Sequence, residues 1–230
     1  MNLAGRGPVH IDPDPDAAGF VLTGGQSSRM GKDKALLQFA GTPLAANALA
    51  IVAEAGLPAK IAGAAPPALA SLQNFAPVIE DATPGLGPLS GICAALAATP
   101  ARYSVFLPVD LPFLPPSLLV FLLRHARITG SAVTVPTVTG FTQTFPAVLE
   151  RSTLPSLQIE LGAGRYGCYS AFEAAAAALG QSVSSVSVEL LAQSGQVSDP
   201  RGLAPVRWFL NVNTPDDLAM AEALRARCIA

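Results

Sequence analysis

Short apolar runs alternate along this chain with longer segments in which apolar residues recur every three or four positions. Two continuous apolar runs, at 19–22 and 103–107, are typical of strands that are covered on both faces. Shorter runs predict further strands at 59–62, 77–79, 131–135, 145–149, 183–188 and 206–210. A Thr/Gly-rich stretch at 137–144 is expected to be a loop.

The segments between these strands have the features of helices. Helices are predicted at 43–55, 67–73, 88–98, 116–127, 152–161, 171–179 and from 215 onward. Several of them place proline in the first turn, and Thr214 stands where it would cap the last one. Strands that alternate with helices in this way indicate an α/β fold with three layers. We therefore expect a Rossmann-like, mainly parallel sheet with helices on both faces.

Length and composition are consistent with one globular domain. The chain has 230 residues, of which 50% are hydrophobic and 13% charged. We expect a disordered Gly/Pro/Asp-rich tail at 1–17, without the apolar segment of a signal peptide, and a single domain at 18–230. A net charge of −2 provides no bulk attraction to nucleic acid or to an anionic membrane. No apolar run approaches the length of a membrane span.

The three cysteines, Cys93, Cys168 and Cys228, are widely spaced and odd in number. This spacing does not match a zinc site, so free thiols in a reducing cytoplasm are expected.

A glycine-rich loop follows the first predicted strand. It contains Gly24 and Gly25 and ends near Lys32 and Lys34, two of the three lysines in the chain. Glycines let a backbone approach an anion closely, so this loop predicts a phosphate site; a surface loop with solvated lysines is the alternative. The spacing fits neither a Walker A loop nor the dinucleotide fingerprint, because five residues separate Gly25 from Gly31 and the first two glycines are adjacent.

An aspartate follows the predicted strand at 103–107. Ligands of open parallel sheets bind at the carboxyl ends of the strands, so Asp110 and the glycine-rich loop should line one crevice. A carboxylate that faces phosphates requires a cation between them, and Mg²⁺ is commonly held by one or two carboxylates together with substrate phosphates. Asp110 is therefore the predicted Mg²⁺ ligand. A turn-capping role before Pro112 is the alternative.

The loop residues carry a long family motif. The sequence reads Leu22-Thr23-Gly24-Gly25-Gln26-Ser27-Ser28-Arg29-Met30-Gly31-Lys32-Asp33-Lys34. It resembles the signature Leu-x-Gly-Gly-x-Ser-x-Arg-Met-Gly-x-Asp-Lys of the molybdenum cofactor guanylyltransferases, which belong to the nucleotidyltransferase superfamily. Similar family segments follow in order at 80–81, 87–91, 108–112 and 211–215.

This resemblance implies the fold of the nucleotide-diphospho-sugar transferases and a specific reaction. A terminal phosphate of molybdopterin, or of its molybdenum form, would attack the α-phosphorus of GTP and release pyrophosphate. The nucleophile is already an anion, so no general base is needed, and charge neutralisation would supply the catalysis. Arg29, Lys34 and Asp110 would be catalytic, and Asp110 would hold the metal. A loop-fastening ion pair is the alternative for Arg29, and Lys32 would be solvated.

The resemblance also implies binding residues. The nucleotide contacts would come from Leu22, Thr23, Gly24, Gly25, Lys34, Asp81 and Asp110. Asn211 and Asn213 would contact the pterin, and Arg165 its phosphate; a turn and a helix-end arginine are the alternatives.

One departure from the family bears on the choice of base. The family commonly has an asparagine contact after the second strand, but here that stretch reads Ile61-Ala62-Gly63-Ala64. A cytidylyltransferase for the same pterin and a sugar-1-phosphate nucleotidyltransferase therefore stay open. A nucleotide-binding adaptor that lacks turnover is the non-enzymatic alternative. Expected partners are GTP and molybdopterin as substrates, and proteins of molybdenum insertion or molybdoenzyme maturation.

Overall fold

The structure is a computed structural model, and it describes residues 16–23, 34–64, 70–81, 83 and 85–229. The predictions made for the tail at 1–15 lie outside these residues. So do those for Gly24, Gly25, Arg29 and Lys32. The first strand begins at Ala17, close to the predicted start of the domain.

The strands form one large sheet and one small hairpin. In chain order they are β1 Ala17–Leu22, β2 Gln38–Phe39, β3 Thr42–Pro43, β4 Ala59–Ala64, β5 Val78–Glu80, β6 Tyr103–Pro108, β7 Val133–Val138, β8 Phe141–Thr142, β9 Ala147–Glu150 and β10 Ser184–Ser187. The order across the large sheet is β10-β7-β9-β6-β1-β4-β5, and β8 pairs with β7. Strands β6, β1, β4 and β5 run parallel, whereas β9 is antiparallel to β6 and β7. The prediction of a mainly parallel sheet is confirmed.

The helices connect these strands across the two faces of the sheet. They are α1 Leu44–Glu54, α2 Pro88–Ala97, α3 Pro116–Thr129, α4 Leu154–Gly162, α5 Cys168–Ala178, α6 Val188–Gln193, α7 Pro205–Trp208 and α8 Pro215–Ile229. Short 3₁₀ turns occur at Lys34–Leu36 and Arg151–Thr153. Within the described residues, no helix combines the length and hydropathy needed to cross a membrane.

The hydrophobic core is divided by the sheet. On one face, apolar residues of α1, α3, α6, α7 and α8 pack against the side chains of Val21, Val105 and Leu107. On the other face, α2, α4 and α5 cover Phe20 and Phe106, whose rings stack 5.4 Å apart. Adjacent strand residues point to opposite faces, which explains why β1 and β6 read as continuous apolar runs. The predicted three-layer α/β architecture is confirmed.

The predicted strand at 206–210 is wrong. Residues Pro205–Trp208 form helix α7, in which proline occupies the first turn. Trp208 is 2% exposed in the core, and its indole Nε1 donates a 2.8 Å hydrogen bond to the Leu203 carbonyl. A short apolar run fits a buried helical turn as well as a strand. Here the packing of the indole in the core favours the helical turn.

Two further segments also differ from the predictions. The expected loop at 137–144 contains the end of β7 and strand β8, which join through Thr139 and Gly140, both with positive φ. Helix α6 begins where the strand at 183–188 was expected to end, and Ser187 caps it by accepting a hydrogen bond from the amide of Leu190.

Candidate active site

The ends of β1 and β6 define the position of the site. These two strands are parallel neighbours in which Leu22 is in register with Pro108, so both chains leave the sheet at the same edge. The amide of Val109 continues the pairing by donating to the Leu22 carbonyl at 3.2 Å. Thr23 and Asp110 therefore follow two strand ends that lie side by side at this edge of the sheet. The predicted co-location of these two strand ends is confirmed.

Three polar side chains meet beside these strand ends. The Lys34 ammonium donates to Asp110 Oδ2 at 2.9 Å and to Asn213 Oδ1 at 2.5 Å. The side chains of Lys34 and Asp110 are only 15% and 21% exposed. The lysine thus links the loop after β1, the loop after β6 and the segment before α8. Its two partners lie 76 and 179 residues away in the sequence.

The second carboxylate oxygen of Asp110 is suited to bind a metal ion. Asp110 Oδ1 is buried and has no hydrogen-bond partner among the described residues. A buried carboxylate oxygen without a partner is costly, and a divalent cation would satisfy it. No group of three or more His, Cys, Asp or Glu side chains suited to a metal occurs in the described part of the chain. A cation here would thus depend on Asp110 together with ligands from a substrate, which is the mode that suits Mg²⁺.

A capping box at the start of α8 presents Asn213 to the lysine. The Thr214 hydroxyl accepts from the Asp217 amide at 3.1 Å, and Asp217 Oδ2 accepts from the amides of Thr214 and Asn213 at 2.8 and 3.0 Å. These hydrogen bonds, first that from the Asn213 backbone, lower the pKa of the Asp217 carboxyl. The preceding residues alternate as expected of an extended segment, with Asn211 exposed and Val212 buried.

Asp81 lies at the end of β5 and organises the loop that leads into α2. Its Oδ1 accepts hydrogen bonds from the Thr83 amide, at 2.9 Å, and from the Ser90 hydroxyl. Ser90 is buried in the first turn of α2 and also contacts the Thr83 hydroxyl at 2.6 Å. The carboxylate therefore joins the strand end to the helix. Its predicted nucleotide contact stays a prediction.

Two glycines bring α2 close to β4. A Cβ added at Gly91 would lie 3.0 Å from Gly63 Cα and 3.1 Å from Gly63 N, so a side chain there would push the helix away from the strand. Gly63 itself has φ +80°, and the register of β4 with β5 shifts between Ala62 and Ala64. The stretch in which the sequence lacks the expected asparagine thus contains a bulge that favours glycine.

Other predicted binding residues have partners within the protein. The Leu22 carbonyl and the Thr23 amide are used in the sheet, the latter by donating to the Ala62 carbonyl at 3.1 Å. Arg165 is exposed and makes two hydrogen bonds to Glu160, at 2.5 and 2.6 Å. Their proposed contacts with nucleotide and pterin phosphate stay predictions.

The predicted cap by Thr214 is confirmed, whereas the sequence interpretation missed the contribution of Ser90 and that of Asp217, which completes a capping box with Thr214. An acidic residue three positions after a threonine and before a helix is the available signal for that box. No local signal pointed to the contact between Lys34 and Asn213.

A parallel sheet whose carboxyl edge gathers a lysine, an aspartate and an asparagine is typical of an α/β enzyme that binds nucleotides. Comparison with known proteins agrees with this class. Residues 19–181 match the family model of the MobA-like NTP transferase domain. The chain belongs to this family of nucleotidyltransferases.

Individual relatives extend the match. A molybdenum cofactor guanylyltransferase of Rhodobacter capsulatus is 31% identical over 210 residues, which are 89% of this chain and 94% of that protein. One from Xanthomonas euvesicatoria pv. vesicatoria is 42% identical over 110 residues, about half of each protein: 47% of this chain and 54% of the relative. The fold is similar to that of molybdopterin-guanine dinucleotide biosynthesis protein A from Archaeoglobus fulgidus, with a TM-score of 0.74, 23% identity, and coverage of 91% of this chain and 99% of that one. MobA-like nucleotidyltransferases generally depend on a divalent metal.

Proposed function

We propose that this protein transfers GMP from GTP to molybdopterin or the molybdenum cofactor, forming the guanine dinucleotide and pyrophosphate. The observation that carries the proposal is the meeting of Lys34, Asp110 and Asn213 at the shared edge of β1 and β6. The relatives named molybdenum cofactor guanylyltransferase support the choice of substrates.

Asp110 is the proposed ligand of Mg²⁺. Its Oδ1, which has no hydrogen-bond partner in the part of the chain that the structure describes, is the oxygen suited to the metal, because Oδ2 already accepts from Lys34. Bound there with the triphosphate, the cation would supply charge neutralisation of the phosphate oxygens.

The chain's own residues act by holding charges in place. An oxygen of the acceptor's terminal phosphate forms a bond to the α-phosphorus of GTP, and the bond to the bridging oxygen of the β-phosphate breaks. The electron pair leaves with pyrophosphate. Arg29 and Lys34 stabilise the negative charge on the triphosphate and on the leaving group. Asn213 holds the Lys34 ammonium in position through its side-chain oxygen. Removing the positively charged side chain of either Arg29 or Lys34 should lower turnover by about 10²–10³-fold.

The remaining proposed contacts concern the nucleotide and the pterin. Nucleotide binding is assigned to the strand and loop around Leu22, Thr23, Gly24 and Gly25, together with Asp81. Asn211 and Asn213 are assigned to the pterin. A cytoplasmic location and a role for maturation proteins as partners belong to the same proposal.

Two other reactions are distinguished by the substrates used. The glycine bulge at Gly63 offers no side-chain amide to a nucleotide base. For this reason a cytidylyltransferase for the same pterin is the competing candidate. A sugar-1-phosphate nucleotidyltransferase would take a different acceptor. An adaptor that binds nucleotide would show no turnover with any of them.

The test is to incubate the purified protein with molybdopterin, one nucleoside triphosphate at a time and Mg²⁺, and to identify the dinucleotide by mass. We expect product with GTP and its loss in Asp110→Ala. Asp216→Ala is the matched control, because Asp216 is an exposed aspartate of the same region, in the first turn of α8. Product with CTP alone would show that the protein is a cytidylyltransferase. The absence of product with any nucleotide would refute the proposal. Unchanged turnover of Asp110→Ala would remove the metal role.

A further inference from the structure

The loop between β6 and α3 carries Asp110 and has backbone carbonyls that other segments satisfy. The carbonyl of Asp110 accepts from the Val212 amide at 3.0 Å. The carbonyl of Pro112 accepts from Asn47 Nδ2 at 3.3 Å, and that of Phe113 accepts from Arg201 Nη2 at 2.5 Å. Because buried carbonyls need partners, the conformation of this loop depends on residues far from it in the sequence.

Arg201 is itself held in one orientation. Its Nε donates to Asp199 Oδ1 at 2.7 Å, and its guanidinium carbon lies 5.5 Å from the centre of the Phe113 ring. The Asp199 side chain is only 1% exposed, and its other oxygen accepts from the Leu203 amide at 3.0 Å. Both carboxylate oxygens and two edges of the guanidinium are thus used, which makes the pair a rigid support for the Phe113 carbonyl.

The segment that contains this pair also contacts the catalytic cluster directly. Between Asp199 and Asn213 the chain contacts the loop at two points, Phe113 and Asp110, and then supplies the Asn213 oxygen to Lys34. The segment from Asp199 to Asn213 lies beyond the 19–181 range of the family match. A displacement of this segment would move both the carboxylate and the second partner of the lysine.

We propose that Arg201 and Asp199 are positioning residues that hold the loop at 110–115 so that Asp110 stays at the edge of the sheet. This inference rests on the proposed function, because the distance of Asp110 from a cation and from the nucleotide phosphates is what the pair would control. Both residues would act through this loop and not on the reacting atoms.

The first measurement is amide hydrogen exchange, which needs no activity. In Arg201→Gln the amide of Val212, which donates to the Asp110 carbonyl, should exchange at least about 10-fold faster, while amides of the central strands β1 and β6 keep their wild-type rates. Arg207→Gln is the matched control, because Arg207 is an exposed arginine of the same segment whose side chain makes no hydrogen bond or ion pair among the described residues. An unchanged exchange rate at Val212 would overturn the proposal.

The second measurement is a Mg²⁺ titration of GTP-dependent turnover. Arg201→Gln and Asp199→Asn should raise the half-saturating Mg²⁺ concentration about 10-fold and lower kcat, with less effect on the KM for GTP. Arg201→Lys, which keeps the charge, should recover part of the loss. A lower melting temperature with unchanged Mg²⁺ dependence would show a merely structural pair and refute the positioning role. Absence of turnover in the wild-type protein would instead count against the proposed function, and the exchange experiment would still decide the inference.

Discussion

Replacement of Lys34 by methionine removes the ammonium group from the Asp110 carboxylate while it keeps an unbranched apolar stem. At the observed separation of 2.9 Å, two unit charges attract by about 6 kcal/mol at an effective dielectric constant of ~20. Desolvation of the two charges offsets much of this attraction. Since the side chains are 15% and 21% exposed, the loss should lie between the values for surface and buried pairs, at about 1–3 kcal/mol.

The cause of this loss can be isolated by a double-mutant cycle. Lys34→Met leaves the Asp110 carboxylate without its counter-charge, whereas Lys34→Met with Asp110→Asn leaves no charge. We therefore expect a coupling free energy of about 1–3 kcal/mol between the two positions. Trp208 is the one tryptophan of the chain and is 2% exposed, so its fluorescence in a urea titration reports unfolding. Lys60→Met is the control for the loss of a lysine elsewhere.

Two results would refute this reasoning. A coupling free energy below about 0.5 kcal/mol would show that the ion pair contributes little to the native state. A second expected outcome concerns Mg²⁺. At millimolar concentration it should stabilise Lys34→Met more than the wild-type protein, because the Asp110 carboxylate then attracts the cation without competition from the Lys34 ammonium. An equal response of the Asp110→Asn variant to Mg²⁺ would contradict the assignment of Asp110 as the ligand.

Three further predictions concern the core, the thiols and the last helix. Gly19→Ala should destabilise the protein by about 1–3 kcal/mol, because the new Cβ would clash with Val52 Cγ1, and Val52→Ala in the same chain should relieve part of that cost in urea unfolding. Burial raises the pKa of Cys93 to about 11 and of Cys168 to about 12. Alkylation of these two thiols at pH 8 should therefore be at least about 10²-fold slower than for an ordinary thiol, and it should accelerate as the pH rises towards those values. Fast labelling of Cys93 or Cys168 in the folded protein, detected by mass spectrometry, would contradict this. Thr214→Ala should cost about 1 kcal/mol through loss of the helix cap, and Thr214→Ser should restore most of it in the same assay.

Periodicity and the parallel-sheet rule were sufficient to predict most of the fold. The apolar runs that became β1 and β6 identified the centre of the sheet, and prolines 116 and 215 marked helix starts that the structure contains. The region at 205–210 was mispredicted because a short apolar run has no period long enough to distinguish a helix from a strand.

The site was predictable only as far as strand ends determine it. Asp110 and the loop after β1 were placed together because neighbouring parallel strands end at the same edge. The contact of Asn213 with Lys34 depends on the path of the chain after α7, and nothing local in the sequence encodes that path. The glycine contact between α2 and β4 likewise depends on how closely two distant segments pack.

The long sequence separation within the lysine cluster has a consequence for biosynthesis. Lys34 emerges from the ribosome early, its aspartate partner 76 residues later, and its asparagine partner after a further 103. The growing chain can therefore assemble nearly the entire sheet while the crevice still lacks its third member. A chain that stops shortly before residue 213 would lack both Asn213 and helix α8, whose Ala221 is part of the core.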